Sequence, residues 1–302
     1  MSKGYEVHGV VRRVALEDQR HRLWRINHVI KKIKLHSASM ESYASLFNII
    51  NRIQPNEIYH LAAQSYVDYS FQDDFSTLST NIGGTHHMLS SIKETSKDSK
   101  FYFAGTSEMF GKVTSTPQNE ETPFYPRSPY GISKVAGYQL TRNYREAYGL
   151  HASSGILFNH ESERRGYEFV TRKISVGVAK IKLKLQKFLE LGNLNAERDW
   201  GYAPEYVEAM WLILQNDHPD DYVVATGKTN SVKNFVKTAF ECVDLNYEKY
   251  VKINKEFFRP SEVDLLIGDS SKIKKVCGWT PKISFDELVK KMVINDYNNL
   301  KK

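Results

Sequence analysis

Between residues 5 and 158, short runs of β-branched and aromatic residues recur, each separated from the next by a longer stretch of helical period. That alternation is the pattern of parallel strands, because two parallel neighbours can be joined only by a segment long enough to return across the sheet. The expected strands are residues 5–11 (YEVHGVV), 33–36, 57–62 (EIYHLA), 101–104 and 152–158 (ASSGILF), and the expected helices are residues 41–53, 81–93 and 130–148. Leu46, Ile49, Ile50 and Ile53 fall at the i, i+3, i+4 spacing of a helix packed on a sheet. The fold class read from this is α/β, a Rossmann-type doubly wound parallel sheet. Ligands of such sheets lie at the carboxyl ends of the strands, so residues 60–65, 105–111 and 159–166 are expected to line one crevice.

After residue 165 the pattern changes to one long helical stretch, residues 170–189, and then to shorter elements. This predicts a dinucleotide-binding domain over residues 1–165 and a smaller substrate-binding lobe over 166–302, interleaved with the first. Residues 180–187 (KIKLKLQK) read as a solvated lysine face alternating with buried Ile181, Leu183 and Leu185; a nucleic-acid patch is the alternative. With 302 residues, 41% of them hydrophobic, a disordered or collagen-like chain is excluded. The 42 Lys and Arg against 35 Asp and Glu give +7, a lean towards anionic partners within the range of ordinary enzymes. No apolar run approaches the roughly 18 residues of a membrane helix, and the start lacks a secretory signal, so a cytoplasmic protein is expected. Two cysteines, Cys242 and Cys277, exclude a disulfide scaffold and a four-cysteine zinc site, and no metal is expected.

Tyr130 and Lys134 stand one turn apart on one helix face. The ammonium can lower the phenol's pKa, making it a base for a substrate hydroxyl, and can also reach a bound ribose. The spacing alone arises often by chance; its place, opening a helix after a Pro-Arg-Ser-Pro turn, gives it weight. Thr106 and Glu108 add a hydroxyl and a carboxylate at the end of a strand, for proton chemistry or merely for capping a turn. Arg12 and Arg13 end the first strand, where an arginine receives the 2′-phosphate of NADP, with ordinary surface charge as the alternative.

Several longer segments carry a resemblance: GYEVHGVVRR from Gly4, QPNEIYHLAAQS from Gln54, GTSEMFG from Gly105, TPFYPRSPYGISK from Thr122, GILFNHES from Gly155, RRGYEFVTRKI from Arg164, LGNLNAERDWG from Leu191 and FFRPSEVDLLIGD from Phe258. In this order they resemble the GDP-mannose 4,6-dehydratase family of extended short-chain dehydrogenase/reductases, over nearly the whole chain. The resemblance implies that bound NADP oxidises C4 of the hexose, that water is lost across C5 and C6, and that the hydride returns to C6. It implies that Tyr130 takes the C4 hydroxyl proton, supported by Lys134, while Thr106 bonds the C4 oxygen and Glu108 moves the proton from C5 to the departing C6 hydroxyl. It places Leu61, Ala62, Ala63, Leu157, Asn159, His160 and Arg165 along the cofactor. The nucleotide of a GDP-mannose substrate, or of a related GDP-sugar, would meet Asn159, Val170, Lys173, Leu191, Gly192, Arg198, Arg259 and Glu262. A homo-oligomer, dimer or tetramer, is implied too.

Three positions depart from the family. The Gly-x-x-Gly-x-x-Gly turn and its strand are not in the sequence, which leaves three readings: a clipped or misassigned start of a complete enzyme, a shortened and decayed copy, or a protein that has lost cofactor chemistry. Ser39 stands where the family has an adenine-contacting aspartate, and Tyr202-Ala203-Pro204 replaces a usual His-Ala-Lys. The rival functions are a dehydratase of another GDP-sugar, such as a GDP-heptose, and an inactive nucleotide-sugar-binding homologue.

Overall fold

The computed structural model describes residues 2–12, 14, 22–258 and 265–301. Its elements begin with β1 (His8–Arg12), β2 (Lys34–Ala38), α1 (Tyr43–Ile53), β3 (Glu57–His60), α2 (Val67–Gln72), α3 (Asp74–Leu78) and α4 (Gly84–Thr95). Next come β4 (Lys100–Thr106), α5 (Pro129–Tyr148), β5 (Ala152–Leu157), β6 (Asn159–Glu161), α6 (Val170–Lys182), β7 (Leu189–Leu191), β8 (Glu197–Tyr202) and α7 (Ala203–Gln215). The chain continues through β9 (Asp221–Val224), β10 (Thr229–Ser231), α8 (Val232–Glu241), β11 (Val251–Ile253), β12 (Leu265–Leu266), α9 (Ser271–Cys277) and α10 (Phe285–Lys301).

Strands β3, β4, β5 and β9 form one parallel sheet in that order, and β1 and β2 form a second parallel pair. No ladder joins the two sheets among the described residues. Helices hold them together instead. Gly84 on α4 lets Met40 lie against the helix, His87 Nδ1 bonds the Met40 carbonyl at 2.8 Å, and Leu46 and Ile50 share one core with Leu89, Ile92, Phe101 and Phe103. Burying several such side chains, at about 1.5–3 kcal/mol each, can hold the β1–β2 pair to the body without a ladder.

Beyond β5 the chain builds a second layer. β8 pairs with β6, β10 and β12, while β7 pairs with β11. Helices α6, α8 and α10 close a second core around Ile174, Phe235, Phe240, Val289 and Met292. Strand β9 is handed back to the first sheet beside β5, so the two parts share one continuous sheet.

Helix ends follow the local chemistry. The Ser42 hydroxyl accepts from Ser45 N–H before α1, and the Ser128 hydroxyl accepts from Gly131 N–H at 3.0 Å before α5, whose first residue is Pro129. Pro204 sits in the first turn of α7, where its missing N–H costs nothing, so the Ala203-Pro204 departure starts a helix. The expected helix over 170–189 instead stops at Lys182: Lys184 takes φ 60°, Leu185 is 64% exposed, and residues 189–191 are a strand. Ile181 is buried as expected, Leu183 only partly so. No described helix is long and apolar enough to cross a membrane.

Candidate active site

The site grows from the carboxyl end of β4. The chain leaves Thr106 into a single 3-10 turn, Ser107–Met109, in which Glu108 N–H donates to the Thr106 hydroxyl at 3.3 Å. That turn lies directly on the first turn of α5: a Cβ at Gly131 would come within 2.8 Å of the Glu108 carbonyl. The absent side chain at 131 thus brings Thr106 and Glu108 against Tyr130 and Lys134. Both members of the tyrosine–lysine pair are buried.

Lys134 Nζ donates to the Ala104 carbonyl at 2.8 Å, and burial pulls its pKa down to about 8. Tyr130 is pushed up to about 12 by burial, with the Thr106 hydroxyl and the Arg165 charge pulling it down and Glu108 pushing it up. The sequence reading assigned the lowering to Lys134. In the structure its ammonium is held on β4, 6.0 Å from the centre of the Tyr130 ring, and the opposing cation is Arg165.

A folded-state pKa near 8 against an ordinary 10.5 means that folding holds a charged lysine at a cost of about 3 kcal/mol below pH 8, a cost that vanishes as pH rises to 10.5. Lys134→Met is therefore expected to be more stable than the natural chain at pH 7. The gap should narrow through the window from pH 8 to 10.5 in urea unfolding; a gap that stays constant there would contradict the buried ammonium.

The opposite wall is the β5–β6 segment. His160 packs face to face on buried Tyr206, with ring centres 4.8 Å apart, and its Nδ1 lies 2.8 Å from the Phe158 carbonyl. Burial draws its pKa down to about 4, so the ring is neutral, with Nδ1–H donating and Nε2 left as an acceptor. Glu161 is buried; burial pushes its carboxyl up, while Arg165 and the Thr171 hydroxyl pull it down. On the third side, Lys173 Nζ rests 3.7 Å from the centre of the Phe257 ring, and Gly192 admits the Phe257 carbonyl where a Cβ would stand 2.7 Å from it.

These walls enclose a cavity of about 920 Å³, comparable to the larger pockets that take cofactors and substrates. It gathers Thr106, Glu108, Tyr130, Lys134, Leu61, Ala63, Leu157, Asn159, His160, Arg165, Val170, Lys173, Leu191, Gly192 and Arg198. Ala62 is exposed and does not line it. Neither does Arg12, which acts on Glu41, a carboxylate held near 2 chiefly by the Ser39 and Thr80 hydroxyls. His60 is buried behind the crevice on Phe101 and Phe103, and Met109 and Phe110 join the core. Arg13, Arg259 and Glu262 lie outside the described residues.

The donor set fits the nicotinamide–ribose part of a dinucleotide: a phenol and an ammonium one turn apart, a neutral imidazole and an arginine on one apolar-floored cavity. No cluster of three or more His, Cys, Asp or Glu able to hold a metal is present among the described residues. Sequence reasoning passed over Asp68 and Phe257 and placed Glu161 on the crevice without a role; all three line the cavity. For Glu161 a signal existed, since it lies two residues from Asn159 on one strand and so shares its face.

A family profile described as GDP-mannose 4,6 dehydratase matches residues 1–292. The chain belongs to the GDP-mannose 4,6-dehydratase family. A Drosophila melanogaster GDP-mannose 4,6 dehydratase is 46% identical over an alignment covering 100% of this chain and 82% of that one. GDP-mannose 4,6 dehydratase 2 of Arabidopsis thaliana is 49% identical, with 98% and 81% covered. Among solved structures, the fold is shared with RMD from Pseudomonas aeruginosa complexed with NADPH (TM-score 0.81, 20% identity, 98% of this chain and 100% of that one). It is shared equally with the dTDP-glucose 4,6-dehydratase DesIV of Streptomyces venezuelae (TM-score 0.82, 18% identity, 98% and 88%).

Proposed function

We propose that this protein converts GDP-mannose to GDP-4-keto-6-deoxymannose, with NADP as its dinucleotide. The observation that carries the reading is the carboxylate of Glu108 on the same cavity as Thr106, Tyr130 and Lys134, set there by the close approach at Gly131. A bound oxidised nicotinamide would bring a positive charge to this cavity and would supply the acceptor for the C4 hydride and its donor to C6.

The residues move the protons. Tyr130, as phenolate, takes the C4 hydroxyl proton, and Thr106 donates to the C4 oxygen. Lys134, anchored on the Ala104 carbonyl, would hold the dinucleotide's ribose and keep a cation near the phenol. Glu108 removes the proton from C5 and returns it to the C6 hydroxyl, which leaves as water. At that point Glu108 is again a carboxylate and Tyr130 carries the only proton taken from the sugar, so Tyr130 is the acid that reprotonates C5. Proton and hydride counts then close with one water lost.

Arg12 and Arg13 would select the 2′-phosphate, and Leu61 and Ala63 would lie along the dinucleotide. Lys173, Arg198 and Arg259 would meet the diphosphate of the sugar nucleotide, and Glu262 its ribose or base. Residues 1–165 would hold the cofactor and 166–302 mainly the substrate. A homo-oligomer fits the apolar side chains left open on α2, α3 and α5, where Tyr69, Phe75 and Ile132 are exposed.

The test is incubation of the purified chain with GDP-mannose and NADP, following the sugar nucleotide by mass and proton NMR. The expected product is lighter by one water and carries a C6 methyl signal. Absence of that product, or its formation only from another GDP-sugar, would overturn the substrate assignment.

A further inference from the structure

Glu161 is a carboxylate on the cavity that the reaction leaves unused. It is 2% exposed, and β6 fixes its backbone by pairing Glu161 with Tyr202 of β8. Its Oε2 receives the Thr171 hydroxyl at 2.7 Å and lies 3.1 Å from Arg165 Nε. The guanidinium carbon of Arg165 in turn lies over Phe169, 3.6 Å from the ring centre. One face of the arginine is therefore covered and its Nε is paired in charge with the carboxylate without a hydrogen bond, while its two terminal nitrogens make no hydrogen bond to a described residue. Those two nitrogens form the planar fork that suits a phosphate or carboxylate.

The loop that carries Arg165 is pinned as well. Arg165 N–H donates to the Ser162 carbonyl at 3.1 Å, Arg25 donates to the Arg164 carbonyl at 2.9 Å, and Arg172 donates to the Glu163 carbonyl. A buried carboxylate is a poor way to gain stability, because an apolar side chain of similar volume does as well or better. Its use here is geometric. We propose that Glu161 is a positioning residue that aims the Arg165 fork at the anionic part of the bound dinucleotide, an inference that rests on the cofactor reading above.

The test is calorimetric titration of NADP, and separately of GDP, into the full chain and into Glu161→Gln, Arg165→Gln and the double variant. Glu161→Gln is expected to weaken NADP about tenfold and GDP less than about twofold, the size of effect expected when a charge-assisted contact loses its geometry. In the Arg165→Gln background the same change should add less than about twofold, since the two act as one unit. Should Glu161→Gln fail to fold, Thr171→Val loosens the same carboxylate and is expected to weaken NADP about threefold with GDP unchanged. Unchanged NADP affinity, equal loss for both ligands, or additive effects in the double variant would each overturn the positioning role. A natural chain that binds GDP but no NADP would overturn the cofactor reading itself, and the inference with it.

Discussion

Glu108→Gln is expected to lower formation of the 4-keto-6-deoxy product by about 10²–10⁴-fold, the usual worth of a general acid–base group. The amide keeps the volume of the carboxyl and leaves the Glu108 N–H bond to Thr106 and the Gly131 contact intact, so the turn keeps its shape. What it loses is a site for the C5 proton. Oxidation at C4 uses Tyr130, which the substitution does not touch, so the variant should stop half-way and accumulate reduced nicotinamide absorbance on mixing with GDP-mannose. NADP affinity and melting temperature should stay close to those of the natural chain. Turnover unchanged by the substitution would remove Glu108 from the reaction, and turnover lost without any reduced nicotinamide would place it in the oxidation instead.

The parts of this site that lie within one or two turns of chain were readable from residue order. Ser128 and Pro129 announce a helix start, and one turn of helix is all that is needed to set Tyr130 above Lys134. Thr106 and Glu108 follow a strand, and the end of a parallel strand is where ligands sit. Glu161 and Phe257 are different. Glu161 meets Thr171 only through the turn that leads from β6 into α6, and Phe257 reaches Lys173 only because β11 pairs with β7, and no local pattern encodes either approach. The lysine's influence on the phenol was misjudged for the same reason, since the bond from Lys134 to Ala104 spans two elements. The error over residues 183–189 has another origin. Apolar residues at 181, 183 and 185 alternate, a period that no single helix face can bury, and the helix ends before it would have to.

Breaking the Arg172–Asp296 pair is expected to give the largest loss of stability, about 3–5 kcal/mol for Arg172→Ala or Asp296→Ala, since each leaves a buried charge without its partner. The pair joins α6 to α10 at 2.7 Å with side chains 3% and 2% exposed, and Ser175 Oγ donates to the same carboxylate at 2.6 Å. Arg172→Met with Asp296→Leu should recover most of that loss in urea unfolding, because two apolar side chains can fill the gap without stranding a charge. Recovery of stability should not restore the cavity. Arg172 also donates to the Glu163 carbonyl, and that bond holds the loop presenting Arg165, so the double variant is expected to unfold near the natural midpoint yet bind NADP more weakly. If stability and NADP affinity instead return together, the loop is held by Arg25 and its own backbone alone. The pair would then matter only for joining two helices. If they separate, one buried arginine links the packing of the last helix to the aim of the cofactor arginine, and its cost in desolvation is accounted for by function.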